Sequence, residues 1–227
     1  METYCITGAS RGIGLNLVQT ALANQHNVIA TYRGQPTDAL NALTENPNLT
    51  LHPLEVTDEE SIAAFAKAMT GKTIDVLINN AGIIGPEQQD YDTLQAEPWL
   101  NAFAVNTVAP LMVSRALLPQ LQAAKHPRLI TISSQMGALN SDSTGMMAYR
   151  TSKAAVNKVM QLLSVELKDQ GITVCPMHPG WVQTDMGGPN GDITPDVSAK
   201  GLLNVIEQLT PEQSGRFLTY EGKVHPW

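Results

Sequence analysis

Short apolar runs alternate with longer amphipathic stretches along the whole of this 227-residue chain. The runs "TYCIT", "NVIATY", "LTLHPLEV", "IDVLINNAG", "RLITISS", "ITVCPMHPG" and the short "GRFLTYEG" read as strands, or as strands with the loops that follow them. The stretches between them carry helical spacing. "GIGLNLVQTALANQ" predicts a first helix, and "TDEESIAAFAKAM" another, opening with Thr57 three residues before Glu60 in a capping box. "EPWLNAFAVNTVAPLMVSRALLPQLQ" predicts one long helix over about 97–122, and the segment containing "AYRTSKAAVNK" a second over about 148–169. "TPDVSAKGLLNVIEQL" begins with Thr194 as cap and Pro195 at the first helical position. Strand and helix in strict alternation predict a parallel sheet with helices on both faces, and strands this apolar have no wet face. No linker or low-complexity run interrupts the pattern. The expectation is one domain over 1–227, a Rossmann-type doubly wound α/β sheet of about seven strands. "GGPNGDI", Gly187 to Ile193, reads as its most flexible segment.

Composition narrows the function. Hydrophobic residues make up 43% and charged residues 15%, as in packed globular proteins. A net charge of −7 argues against nucleic acid as a partner, because phosphate binding needs a basic face. No apolar run approaches the ~20 residues that span a bilayer, and "METYCITGAS" lacks the charged-then-apolar order of a secretory leader. A cytoplasmic protein without membrane attachment is expected. Cys5 and Cys175 lie in apolar strand-like runs and read as reduced core residues. The five histidines fall in no metal-ligand spacing, so no metal is expected.

Two stretches carry chemistry. "TGASRGIG" joins the first strand to the first helix. Gly8, Gly12 and Gly14 allow a tight turn, and the helix N-terminus offers free N–H groups and a positive dipole end to a phosphate. In "AYRTSK", Tyr149 and Lys153 stand four apart on one helix face. An ammonium beside a phenol favours the phenolate and draws the tyrosine pKa toward the range of a general acid/base.

Taken together, "TGASRGIG", "NNAG" (79–82), Asn106 in "VNTVAP", "ISS" with Ser133 and Ser134, "YRTSK" and "PGWVQT" (179–184) resemble the short-chain dehydrogenase/reductase family in order and spacing over nearly the whole chain. "AYRTSKAAVNK" and "HPGWVQTDMGGPN" are most similar to its sniffer and C-factor carbonyl reductase branch. The resemblance implies Tyr149 as acid/base, Lys153 as its activator and a ligand of the cofactor ribose, Ser134 as partner of the carbonyl oxygen and Asn106 as anchor of a water. Ser133 is the competing serine, since the gap between Ser134 and Tyr149 is about two residues longer than usual. The resemblance also implies cofactor contacts at Gly8, Ser10, Arg11, Gly12, Ile13, Gly14, Arg33, Glu55, Val56, Asn80, Ala81, Gly82, Tyr149, Lys153, Pro179, Gly180, Val182 and Thr184. Glu55 stands where the family usually has Asp beside the adenine.

The implied reaction moves a hydride between a nicotinamide cofactor and a carbonyl or alcohol. The second strand ends "ATYRG", with Tyr32 where an NAD-selecting acid would stand and Arg33 next to it; with Arg11 this points to NADP(H) over NAD(H). Met136, Met146, Met147, Trp181 and Met186 are candidates to line an apolar pocket for a small-molecule carbonyl substrate, and His178 reads as structural. The family also implies a possible homodimer through the two long helices. The competing reading is a nucleotide-sensing or signalling protein that uses this fold without significant turnover; a complete acid/base set speaks against it.

Overall fold

The computed structural model describes residues 1–227. Seven parallel strands form one sheet: β1 (Thr3–Ile6), β2 (Asn27–Tyr32), β3 (Leu49–Pro53), β4 (Val76–Asn79), β5 (Arg128–Ile132), β6 (Thr173–His178) and β7 (Leu218–Thr219), in the spatial order β3-β2-β1-β4-β5-β6-β7. The order reverses between β1 and β4, the place where an open parallel sheet splits its crossovers and opens a crevice at the strands' C-terminal ends. The doubly wound sheet expected from the apolar pattern is therefore present.

Eight α-helices cover it: α1 (Gly12–Ala23), α2 (Asp38–Asn41), α3 (Glu59–Ala68), α4 (Ala96–Phe103), α5 (Ala109–Ala116), α6 (Leu118–Gln122), α7 (Met147–Glu166) and α8 (Pro195–Glu207). Successive strand residues point to opposite faces, and both faces are dry. Tyr4, Ile6, Val28, Ala30, Val76, Ile78, Ile130 and Ile132 pack toward α1 and α8. Cys5, Ile29, Leu77, Leu129 and Val174 pack toward α3, α5 and α7. Cys5 and Cys175 are both buried and unpaired, one on each face. No helix is long and apolar enough to cross a membrane.

Three local expectations change. The long helix over 97–122 is not continuous: a π-helical turn, Ala104–Val108, separates α4 from α5, and α6 begins anew at Leu118. Pro110 has no N–H to give the Asn106 carbonyl four residues back, and its ring would crowd that carbonyl; a widened turn accommodates both. The cap of α3 is Asp58, whose side chain accepts from the Glu60 N–H, while the Thr57 hydroxyl donates to Glu55 instead. The segment 187–193 is tied down rather than loose. Gln183 and Ile193 exchange backbone bonds with the opposite run, and the Trp181 indole donates to the Gly187 carbonyl at 2.8 Å. The Thr194 cap of α8 stands as expected, its side chain accepting from the Val197 N–H.

Candidate active site

Four of the motifs lie at or just past the C-terminal end of a central strand: the glycine turn after β1, "NNAG" at β4, the serines after β5 and "PGWVQT" after β6. Parallel pairing brings these four ends side by side. The first two are laced together. The Thr7 hydroxyl accepts from the Asn80 and Ala81 N–H groups at 3.0 and 3.1 Å, and the Asn80 amide donates to the Thr7 and Gly8 carbonyls at 2.9 and 3.0 Å. Gly8 adopts φ +66°, and a Cβ there would lie 2.8 Å from Ala81 Cα. Thr7 opens the glycine motif without being one of its implied cofactor contacts, yet its hydroxyl couples the two loops.

The N-terminus of α1 is open. Arg11 gives no side-chain cap, no acid stands in the first turn, and no protein group accepts from the Ile13 and Gly14 N–H groups. Unclaimed N–H groups at a positive dipole end fit a phosphate ester. The Ser10 carbonyl accepts from Thr37 at 2.8 Å, fastening the far side of the turn. Across the crevice, Val182 is buried, the Pro179 carbonyl accepts from Ser198 at 2.6 Å, and the Thr184 methyl approaches Gly12. Gly180 turns the chain between them with φ +88°. Val56 is part of the core below the crevice.

The two arginines are both engaged by carboxylates. Arg11 Nη1 lies 2.7 Å from Asp185 and Arg33 Nη1 3.8 Å from Glu55, all four side chains at or near the surface. Glu55 also accepts from the Thr57 hydroxyl at 2.9 Å.

The catalytic candidates converge. Asn106 sits in the π turn, 1% exposed, and its amide is fully occupied. Its Oδ1 accepts from the Ile83 N–H at 2.9 Å, and its Nδ2 donates to the Ile83 carbonyl at 2.8 Å and the Ser152 hydroxyl at 2.9 Å. Both amide donors are thus spent on protein, and the side chain anchors the 83 loop. Ser152 in turn donates to the Tyr149 carbonyl. Gly82 lies between Asn106 and Lys153: a Cβ there would be 3.2 Å from Asn106 Oδ1 and 3.6 Å from Lys153 Nζ. Lys153 is buried, and its ammonium donates to the Ile132 carbonyl at 2.8 Å.

Of the two serines, Ser133 is turned away, its hydroxyl donating to Asn157. Ser134 faces the phenol, and its hydrogen bonding draws the Tyr149 pKa down. Burial works the other way and prevails, holding the phenol above its ordinary value. Burial also lowers Lys153 to about 8. The ammonium stands 5.8 Å from the centre of the tyrosine ring. Burial is the leading effect on the phenol, and its neutral form is favoured.

The extra residues between Ser134 and Tyr149 are absorbed in an exposed loop over 139–144. His178 lies behind Ser134, its Nδ1 accepting from the Gln135 N–H at 3.3 Å; burial, and then His225, push it down to about 4, so it stays neutral. Trp181 and Met186 are 48% and 40% exposed, and Met136, Met146 and Met147 are half-buried.

A family model described as short chain dehydrogenase matches residues 2–193. The C-signal protein of Myxococcus xanthus is 41% identical over 165 residues, which cover 72% of this chain and 99% of that protein. Among solved structures, an NADPH-bound carbonyl reductase from chicken fatty liver superposes with a TM-score of 0.93 at 36% identity, over 100% of this chain and 99% of that one. The carbonyl reductase Sniffer of D. melanogaster superposes with a TM-score of 0.92 at 31% identity over the full length of both. With the sheet order, the glycine turn and the Tyr149–Lys153 helix already in place, these matches establish that the chain belongs to the short-chain dehydrogenase/reductase family.

Proposed function

We propose that this protein is an NADP(H)-dependent carbonyl reductase acting on a small, uncharged carbonyl compound. The observation that carries the reading is the meeting of Tyr149, Ser134 and Lys153 beside a helix start whose N–H groups are unclaimed. The similarity to carbonyl reductases, one of them NADPH-bound, supports it.

NADPH is the cofactor, and bound in the crevice it supplies the hydride. The first turn of α1 holds its phosphates, and Arg11 and Arg33 take the 2′-phosphate through guanidinium hydrogen bonds. Lys153 keeps two ammonium protons beyond the one given to Ile132, enough to hold the ribose hydroxyls. As charge grows on the substrate oxygen, Tyr149 gives it the phenolic proton and Ser134 a hydrogen bond. The phenol is protonated at neutral pH, the form that reduction requires. Once the proton has left, the neighbouring ammonium stabilises the phenolate. Trp181, Met186 and the methionines at 136, 146 and 147 supply an apolar wall.

The assay is NADPH oxidation against aldehydes, ketones and quinones, with phosphorylated sugars and acyl thioesters as contrasts. Turnover of the apolar carbonyls and not the contrasts is expected; the reverse order would reject the apolar pocket. Tight NADPH binding without turnover of any carbonyl would instead favour a signalling role, the reading suggested by the C-signal relative.

The proposal extends to a cytoplasmic homodimer. Leu100 and Val108 on the first long helical stretch, and Leu162 and Val165 on α7, are exposed apolar side chains that a second copy would cover. A monomer at tens of micromolar in sedimentation would reject the dimer.

A further inference from the structure

Helix α7 begins without a cap of its own. Met146 precedes it at φ +52°, its side chain accepts nothing, and no acid stands in the first turn. The partner comes from sixty residues earlier. Gln89, on the connection between β4 and α4, takes the Met147 N–H on its backbone oxygen at 3.1 Å and the Tyr149 N–H on its Oε1 at 3.0 Å. It is 6% exposed, and its amide nitrogen donates to the Ile84 and Pro86 carbonyls at 2.9 and 2.7 Å. Every polar atom of this side chain is therefore used. Gly85, at φ +90°, lets the loop fold back over it. The same loop is fixed at its other end, where Ile83 exchanges two bonds with Asn106. One connection thus joins Asn106 to the backbone of Tyr149.

We propose that Gln89 is a positioning residue: by capping the first turn of α7 it fixes the Tyr149 phenol against Ser134 without touching substrate. The inference rests on the acid/base reading of Tyr149. Without the Gln89 amide the Tyr149 N–H is left unsatisfied at a partly buried helix start, and that turn frays at the residue that carries the phenol, although the Met147 N–H keeps its bond to the backbone oxygen of residue 89. A displacement of about 1 Å in a reacting group costs on the order of a hundredfold in rate. Lys153, one turn deeper and bonded to Ile132, stays in place. Loss of the cap should therefore separate chemistry from cofactor binding.

Three variants test this: Gln89→Leu, Gln89→Glu and Tyr149→Phe, each measured for NADPH Kd and for kcat across pH 5–9. Gln89→Leu is expected to lower kcat tenfold or more with Kd within about twofold of the parent. A protonated glutamic acid has the layout of the amide, one oxygen accepting from Tyr149 and one O–H donating to Pro86 or Ile84. Its carboxylate would face those carbonyls unfavourably. Gln89→Glu is therefore expected to work at acid pH and to lose kcat as pH rises through the new carboxyl, a step the parent lacks. A Gln89→Leu kcat within twofold of the parent, a parallel loss of kcat and NADPH affinity, or a Gln89→Glu profile that tracks the parent would each overturn the proposal. If Gln89→Leu does not fold, the Gln89→Glu profile alone decides. Full activity in Tyr149→Phe would reject the acid/base reading itself; an inactive Tyr149→Phe beside a normal Gln89→Leu rejects only the positioning role.

Discussion

The catalytic end of the crevice and its arginine rim are held in opposite ways. Asn106, Ser134 and Lys153 are buried, and backbone groups hold their polar atoms, those of Ile83 and Ile132 from remote segments and that of Met136 from the next turn. The Arg11 and Arg33 side chains are 75% and 77% exposed, and each rests on one carboxylate. Opening a buried hydrogen bond strands a polar group in low dielectric, whereas an exposed ion pair exchanges partners at almost no cost. The groups proposed for proton transfer are thus fixed by the fold. The arginines proposed to choose the cofactor can trade one anion for another, and Asp185 and Glu55 hold them here.

The sharpest break of this contrast is Tyr149→Phe. It should cut kcat by about a hundredfold or more, the scale of a general acid, with NADPH affinity kept; titration and steady-state kinetics on one preparation check both. Retention of near-normal reduction would remove the catalytic half of the comparison.

Lys153→Met should abolish turnover and yet stabilise the fold at neutral pH. Burial holds this lysine at about 8, below its ordinary value of 10.5. Between those two values the unfolded chain carries more protons than the folded one, so the lysine's contribution to stability rises with pH there. Below about 8 the cost of the buried ammonium is present in full. Melting curves should show the variant several degrees higher at pH 7, at about 2–4 °C per kcal/mol for a chain of this size, with the gain shrinking toward pH 10. A variant that melts lower at pH 7 would mean that the bond to Ile132 outweighs desolvation.

At the rim, Arg33→Ala should weaken NADPH by roughly tenfold or more, the scale of hydrogen bonds to a charged group, and leave NADH nearly unchanged. Equal losses for both cofactors would deny Arg33 the 2′-phosphate. The smallest expected effect sharpens the comparison most. Asp185→Asn removes the anion from Arg11 and should tighten NADPH by about two- to fivefold, the range of an exposed pair, with no effect on NADH. No change would mean that Arg11 is free to leave Asp185 at no cost.

The difference between the two ends also explains what could be read in advance. The strands announced themselves because nearly all of β1, β4, β5 and β6 is buried between two helical layers, which favours apolar side chains. Motifs at strand ends were legible for a related reason: their order along the chain maps onto neighbouring strand tips. The break at 104–108 was hidden because an apolar helical pattern looks the same with one residue added to a turn, and Pro110 reads equally as the first turn of a new helix. The 187–193 loop looked slack because glycine, proline and asparagine signal turns in any setting, tied or free.

By itself, then, the chain determined its strands, its two-sided packing and its family fold, and it offered Tyr149, Lys153, two competing serines and the glycine turn as site candidates, since each depends on local pattern or spacing. Only the tertiary structure decided which serine faces the phenol, where the Asn106 amide is spent, which carboxylates hold the arginines and that burial is the leading effect on the tyrosine. It also supplied Gln89 as the cap of the catalytic helix. Those outcomes are contacts between residues from 15 to 174 positions apart in the chain, and no local periodicity carries information about which distant group will fill a hydrogen bond.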